Sequence, residues 1–200
     1  EVLNALTPAM IATLGELVVD ARDDDDCRVL VITGGGRGFC SGFDIKVFQN
    51  MDLNATWELA DKMIAVWTAV RTFPKPTIAA LNGVTAGGGF ELALGCDLRI
   101  AASSARIGSC EVRINQPTTN GSSYLLARLI GESKAKELCL TGDIWSAEQA
   151  ERFGLVNAIA RPESLEQTVQ DWVDRIASRA PIAVRAVKGF FEQGRTISTD

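Results

Sequence analysis

Polar and apolar positions alternate between two rhythms along this chain. Thr7-Pro8 reads as a helix N-cap followed by proline at the first helical position, opening a helix that runs to about Asp20. Arg28-Val29-Leu30-Val31-Ile32-Thr33 is a short apolar, β-branched run closed by Gly34-Gly35-Gly36, the pattern of a buried strand. Residues 54–72 return to helical spacing through Leu59, Met63, Ile64, Trp67 and Val70, and Pro74 and Pro76 end that helix. Thr77-Ile78-Ala79-Ala80-Leu81, closed by Asn82-Gly83, predicts a second buried strand, and Asp97-Leu98-Arg99-Ile100-Ala101 a third. Helical stretches follow at about 121–131, 133–139, 146–152, 163–179 and 181–192, with Gly154-Leu155-Val156-Asn157 as a short strand-like break. Strand-turn-helix units recur at uneven spacing, with no linker and no sequence repeat. The expectation is one α/β domain whose C-terminal third is helical.

Composition narrows the function. The chain has 200 residues, 46% of them hydrophobic, enough for one domain with a substantial core. A formal net charge of -5 offers no basic footprint for nucleic acid or for an anionic membrane, and no apolar run is long enough to span a bilayer. Asp23-Asp24-Asp25-Asp26 lacks the spacing of a calcium loop and reads as a solvated loop before a strand. Five cysteines without a CxxC pair point to a reducing compartment, so a cytoplasmic location is expected. Residue 1 falls in mid-pattern, so a lost N-terminus carrying an organellar signal stays open. There is no histidine, which removes the Ser–His and Cys–His nucleophilic pairs and the commonest zinc ligand. Ser41 is therefore not expected to be a nucleophile, and no metal site is expected.

The candidate chemistry lies in three segments. Gly87-Gly88-Gly89 runs into an apolar segment that carries Glu91 among Phe90, Leu92, Ala93 and Leu94. A glycine-rich helix start lets a ligand approach the backbone and aims unpaired N–H groups at an anion. No Gly-Lys-Ser/Thr follows, so this is not a phosphate-binding P-loop. A carboxylate in such surroundings is desolvated, which raises its pKa; taken alone, Glu91 reads equally well as a first-turn acid complementing the helix dipole. Glu111 follows the small-residue turn Gly108-Ser109-Cys110, and its bland alternative is an ion pair with Arg113 or Arg106. The third segment, Gly38-Phe39-Cys40-Ser41-Gly42-Phe43-Asp44-Ile45-Lys46, follows the first strand, where ligand loops of parallel sheets sit, and the Phe43 N–H is a candidate second oxyanion donor.

In order and spacing these segments resemble the crotonase, or enoyl-CoA hydratase/isomerase, superfamily. Asn4-Ala5-Leu6, residues 38–45, Lys75-Pro76 through Gly83 with Gly87-Gly88-Gly89, Leu140-Thr141-Gly142-Asp143, Ser146-Ala147 and Gly154-Leu155-Val156-Asn157 all look like hallmarks of that family. The resemblance implies a crotonase-like spiral of ββα units with a helical C-terminal region, over residues 1–200, lacking the first strand and the C-terminal trimerisation helices. It implies an acyl-CoA substrate, no nucleic-acid or membrane partner, no cofactor beyond the coenzyme A that belongs to the substrate, and a homotrimer or a hexamer made of two trimers. By resemblance, Phe43 and Gly88 form the oxyanion hole, while Ser41, Phe43, Asp44, Ile45, Lys46, Gly87 and Gly88 bind the substrate and its coenzyme A. Glu91 and Glu111 fall on the family's two acid positions. Hydratase members use both around one water, and isomerase members commonly keep only the equivalent of Glu111, so hydration of a trans-2-enoyl-CoA is the favoured reaction, with an isomerase, decarboxylase or C–C lyase as the alternative. Cys110 stands where the family often has proline, the stretch to Pro117 is one residue short, and Asn115-Gln116 and Thr118-Thr119-Asn120 replace small or apolar residues. That loop borders the acyl pocket, so an unusual or polar acyl group is expected.

Overall fold

The computed structural model describes residues 3–194. Its strands divide between two four-stranded sheets. The first contains β1 (Leu30–Thr33), β3 (Thr77–Leu81), β5 (Leu98–Ala102) and β8 (Ala158–Ala160), all parallel. The second contains β2 (Gly38–Cys40), β4 (Val84–Ala86), β6 (Arg106–Gly108) and β7 (Trp145–Ser146), parallel except where β7 joins β6. The chain lays one strand in each sheet and then makes a helix. β1 and β2 precede α2 (Ile45–Gln49) and α3 (Leu53–Arg71), and β3 and β4 precede α4 (Gly88–Gly95). β5 and β6 precede a 3-10 turn at Glu111–Ile114, then α5 (Ser122–Ile130) and α6 (Glu132–Thr141). This is the expected spiral of ββα units. The helix α1 (Pro8–Asp23) comes before it, and α7 (Ala147–Arg152), α8 (Leu165–Ala177) and α9 (Pro181–Gly194) complete the helical third.

The elements follow from their sequences. Thr7 accepts a hydrogen bond from the Met10 N–H with Pro8 beside it, and Asp52 caps α3 in the same way through the Ala55 N–H. Ser146 and Gln149 close a reciprocal capping box at the start of α7. The strand β3 is buried along its whole length because both of its faces are covered, which is why it reads as an unbroken apolar run. The main core gathers Leu59, Met63, Val66, Trp67 and Val70 of α3 with Phe90, Leu92 and Leu94 of α4 and Leu126 and Leu138 of α5 and α6. A second cluster packs Leu165 and Val169 of α8 on Ile78 and Ile100.

Some expectations need correcting. Residues 154–157 form a turn, and the strand begins one residue later, at Ala158. The short strands β2, β4 and β6 and the helix α2 were not foreseen. Ile64 lies off the core face of α3 and is mostly exposed. Asp97 is held in structural hydrogen bonds immediately before β5. It accepts from the Thr77 N–H and hydroxyl and from Lys188 of α9, whose ammonium sits at 2.7 Å and also donates to the Lys75 carbonyl.

Two features fix α4. At its C-terminal end the fully buried Arg99 guanidinium donates to the carbonyls of Ala93 and Cys96, and its Nε donates to Leu155, so a buried charge is satisfied by backbone oxygens. At its N-terminal end the helix meets the end of β2 so closely that a Cβ on Gly89 would lie 2.4 Å from the Cys40 carbonyl oxygen. Gly89→Ala is therefore expected to cost about 2 kcal/mol of stability by overpacking, read as a lowered urea midpoint at unchanged slope.

Candidate active site

The parallel register of the second sheet assembles the site. Cys40 pairs with Thr85 and Ala86 with Gly108, so β2, β4 and β6 end side by side. The segments leaving those carboxyl ends are Ser41–Phe43, Gly87–Gly88 and Ser109–Glu111, the three picked out from the sequence. A ligand crevice belongs at such an edge.

The first two segments touch backbone to backbone. A Cβ on Gly42 would sit 3.3 Å from the Gly88 nitrogen, and one on Gly88 would sit 2.5 Å from the Phe43 ring. Gly42 has φ 99°, and Gly87 has φ 52° with ψ -131°, conformations that side chains resist. Gly88 opens α4, so its N–H has no partner within the helix. The loop is held from behind by the N-terminal segment. The Ser41 N–H donates to the Leu3 carbonyl, the Leu6 N–H to Gly42, and the Asp44 N–H to Leu6. Asn4 and Asn82 aim their amide groups at the carbonyls of the 34–39 turn. Ile45 starts α2 half exposed, and the Lys46 N–H is capped by the Asp44 carboxylate at 3.0 Å. Residues 41–46 thus form one continuous lip beside the glycine turn.

Glu91 sits one turn into α4 and is 2% exposed. Its carboxylate accepts the Thr119 N–H at 2.5 Å and the Asn120 amide at 2.6 Å. The Thr119 hydroxyl lies within 3.0 Å of both oxygens, and the Ser122 hydroxyl is 3.4 Å from one. Burial pushes its pKa up, these donors pull it down, and the nearby Glu111 charge adds a smaller upward push. Burial outweighs the rest, so the group titrates above the ordinary glutamate range. The acid is not a surface group complementing a helix dipole.

Glu111 begins the 3-10 turn after β6 and is also buried. Its Oε2 accepts the Ser109 hydroxyl at 2.7 Å, while Oε1 is buried with no hydrogen-bond partner. The expected alternative of an arginine pair is absent: Arg113 reaches Asp143 instead, at 3.9 Å. A buried acceptor without a partner calls for a donor from outside the chain.

The residues that hold the two acids were the ones sequence reasoning missed. Ser109 appeared only as a small residue in a turn. Thr119 and Asn120 were noted as departures bordering a pocket, yet they turn inward onto Glu91. Their signal was Asn115 and Asn120, which both take left-handed backbone (φ 58° and 51°) that asparagine tolerates. Among the described residues, no group of histidine, cysteine and acidic side chains is arranged to hold a metal ion. No helix among them is long and apolar enough to cross a membrane.

Comparison with known proteins agrees with this geometry. The sequence profile of the family described as Enoyl-CoA hydratase/isomerase matches residues 1–199. A crotonyl-CoA hydratase of Syntrophomonas wolfei is 37% identical over 199 residues, covering 99% of this chain and 76% of that protein. An (E)-benzylidenesuccinyl-CoA hydratase of Thauera aromatica is 37% identical over 195 residues, covering 94% of this chain and 73% of that protein. The crystal structure of an enoyl-CoA hydratase from Bacillus anthracis superposes with a TM-score of 0.95 at 35% identity, over 98% of this chain and 77% of that one. Two strand-end loops packed backbone to backbone, a buried acid beside each of two strand ends, a ββα spiral and a profile match along the whole chain lead to one conclusion: the chain belongs to the enoyl-CoA hydratase/isomerase family of the crotonase superfamily.

Proposed function

We propose that the protein adds water across the double bond of a trans-2-enoyl-CoA to give a 3-hydroxyacyl-CoA. The observation that carries this reading is the pair of buried glutamates, Glu91 and Glu111, beside the Gly42–Phe43 and Gly87–Gly88 backbones. The hydratases among the relatives support it. The thioester oxygen is held by the N–H groups of Phe43 and Gly88, where the dipole end of α4 favours the negative charge that develops as an enolate forms. Water adds at Cβ and gives one proton to Glu91. The enolate takes one proton at Cα from Glu111. The pair ends with as many protons as it began with, and exchange between the two resets the site. No group beyond the chain, water and the substrate's own coenzyme A enters this balance.

The partners of the two acids fit these tasks. Thr119 and Asn120 fix Glu91 in place, and the Ser122 hydroxyl, the longest of its four donors at 3.4 Å, is the one a substrate water would displace from a carboxylate's roughly four lone-pair sites. Glu111 Oε1 and Asn120 Oδ1, both buried and unpartnered, suit a donor such as water or the product hydroxyl. Ser41, Phe43, Asp44, Ile45, Lys46, Gly87 and Gly88 line the lip where the thioester and its coenzyme A are bound. One observation favours a second reading, double-bond isomerisation by Glu111 alone: Glu91 is tied by several donors while Glu111 keeps an oxygen without a partner. A homotrimer, or a hexamer of two trimers, is the assembly we favour, because α9 exposes Ile182, Phe190 and Phe191.

With a panel of trans-2-enoyl-CoA thioesters, the conjugated enoyl absorbance is expected to fall with wild type. Glu91→Gln and Glu111→Gln are each expected to slow that loss by roughly 100-fold or more. Isomerisation instead predicts that Glu91→Gln keeps most of the turnover and Glu111→Gln abolishes it. A second expectation concerns pH. Glu91 must be ionised to take the proton of water, so kcat/KM rises with pH through its pKa, with a midpoint above the usual glutamate range because burial raises it. The Asn120 amide stabilises the charged form, so Asn120→Ala moves this limb to higher pH, measured as a pH–rate profile. Sedimentation equilibrium reads the assembly, and a monomer at micromolar concentration would refute the trimer.

A further inference from the structure

A cleft of about 320 Å³ runs from Glu91 along α3 to Arg71. Its α3 wall is Ile64, Trp67, Thr68 and Arg71, positions separated by three or four residues and so stacked on one helix face. Leu125 of α5 and Asn120 contribute to the opposite side. Asn120 lies 2.6 Å from the Glu91 carboxylate and marks that end of the cleft. Trp67 joins the cleft to the oxyanion loop, since its ring centroid is 6.1 Å from that of Phe43. Arg71 follows Trp67 by one helical turn, about 6 Å.

The polar groups of this cleft are sorted by sign. At the Glu91 end stand a carboxylate and the unpartnered acceptor Asn120 Oδ1. Farther along are donors. Arg71 is half-buried and makes no hydrogen bond or ion pair among the described residues. It does not pair with Glu91, for the charge acting on that acid is Glu111. The Trp67 Nε1–H is buried without a partner in the same wall. Ile64, Trp67 and Leu125 supply the apolar lining, and Thr68 adds a hydroxyl-bearing side chain beside them. Such a gradient, with a hydrocarbon stretch and then an unpaired guanidinium, matches a chain that ends in an anion.

We propose that this cleft is the far end of the acyl site and that Arg71 selects 2-enoyl-CoA substrates whose acyl chain ends in a second carboxylate. The substrate class rests on the hydratase reading of the same site. With the β-carbon at Glu91, the acyl chain passes Trp67 and delivers its terminal carboxylate to the planar fork of Arg71, which binds it with two parallel hydrogen bonds. The reverse placement is excluded, because it would set the carboxylate against Glu91.

The test uses two saturated acyl-CoA ligands of equal length, one ending in methyl and one in carboxylate, titrated calorimetrically into wild type, Arg71→Gln and Arg71→Lys. Wild type is expected to prefer the carboxylate ligand. Arg71→Gln should reduce that preference by about 10- to 100-fold, the worth of a hydrogen bond to a charged group. Arg71→Lys should keep part of it, since the charge remains. An equal preference in wild type and Arg71→Gln overturns the subsite, as does an equal weakening of both ligands, which is what a purely structural arginine would give. Neither ligand reacts, so this result is independent of turnover. Failure of the hydratase reading would show separately, as unchanged enoyl absorbance with both the methyl-ended and the carboxylate-ended 2-enoyl-CoA.

Discussion

Two stretches of backbone meet in this protein with no room for a side chain between them. Gly42 lies against Gly87 and Gly88, and Gly89 against the Cys40 carbonyl. Everything in the site depends on that approach. It brings the start of α4 against the strand-end loop, so that peptide N–H groups from two separate segments come together. It also sets where Glu91, one turn into the helix, is aimed. A methyl group at Gly89 would open the contact, whatever the quality of the core around it. The approach is supported from three sides: by the N-terminal segment through Leu3 and Leu6, by the asparagines Asn4 and Asn82 on the preceding turn, and by Arg99 at the far end of α4.

Around this fixed frame the two acids are treated differently. Glu91 is desolvated and then compensated by donors from a single loop, residues 119–122. Glu111 is buried with one oxygen supported by Ser109 and the other without a partner. Each acid therefore has its own source of hydrogen bonds, the 119–122 loop for Glu91 and Ser109 for Glu111. The polar substitutions at Thr119 and Asn120 find their physical reason in this arrangement. Both side chains turn onto an acid, Glu91.

The elements readable in the sequence were those with enough repeats to establish a period. The helix 54–72 was foreseen within a residue or two, and the strands 77–81 and 97–101 almost to their ends. The strands β2, β4 and β6 were not, since each is three residues long and too short to show alternation. Their existence is decided by pairing with neighbours distant in sequence. The same holds for the turn at 154–157, whose apolar residues resemble a strand but serve as a plug: Leu155 and Val156 fill the core, while the Asn157 side chain accepts the Arg99 N–H.

The sequence by itself determined the class of fold, the family, the two acids and the glycine turn beside them, because these depend on residue type and local spacing. Only the tertiary structure decided that the loop carrying Thr119 and Asn120 folds back onto Glu91, that Glu111 keeps an oxygen without a partner among the described residues, and that Arg71, unpaired among those residues, lines the same cleft as Glu91. Those facts depend on which surfaces meet across tens of residues. Hydrogen bonds and burial are properties of the meeting, and no period in a single chain encodes them.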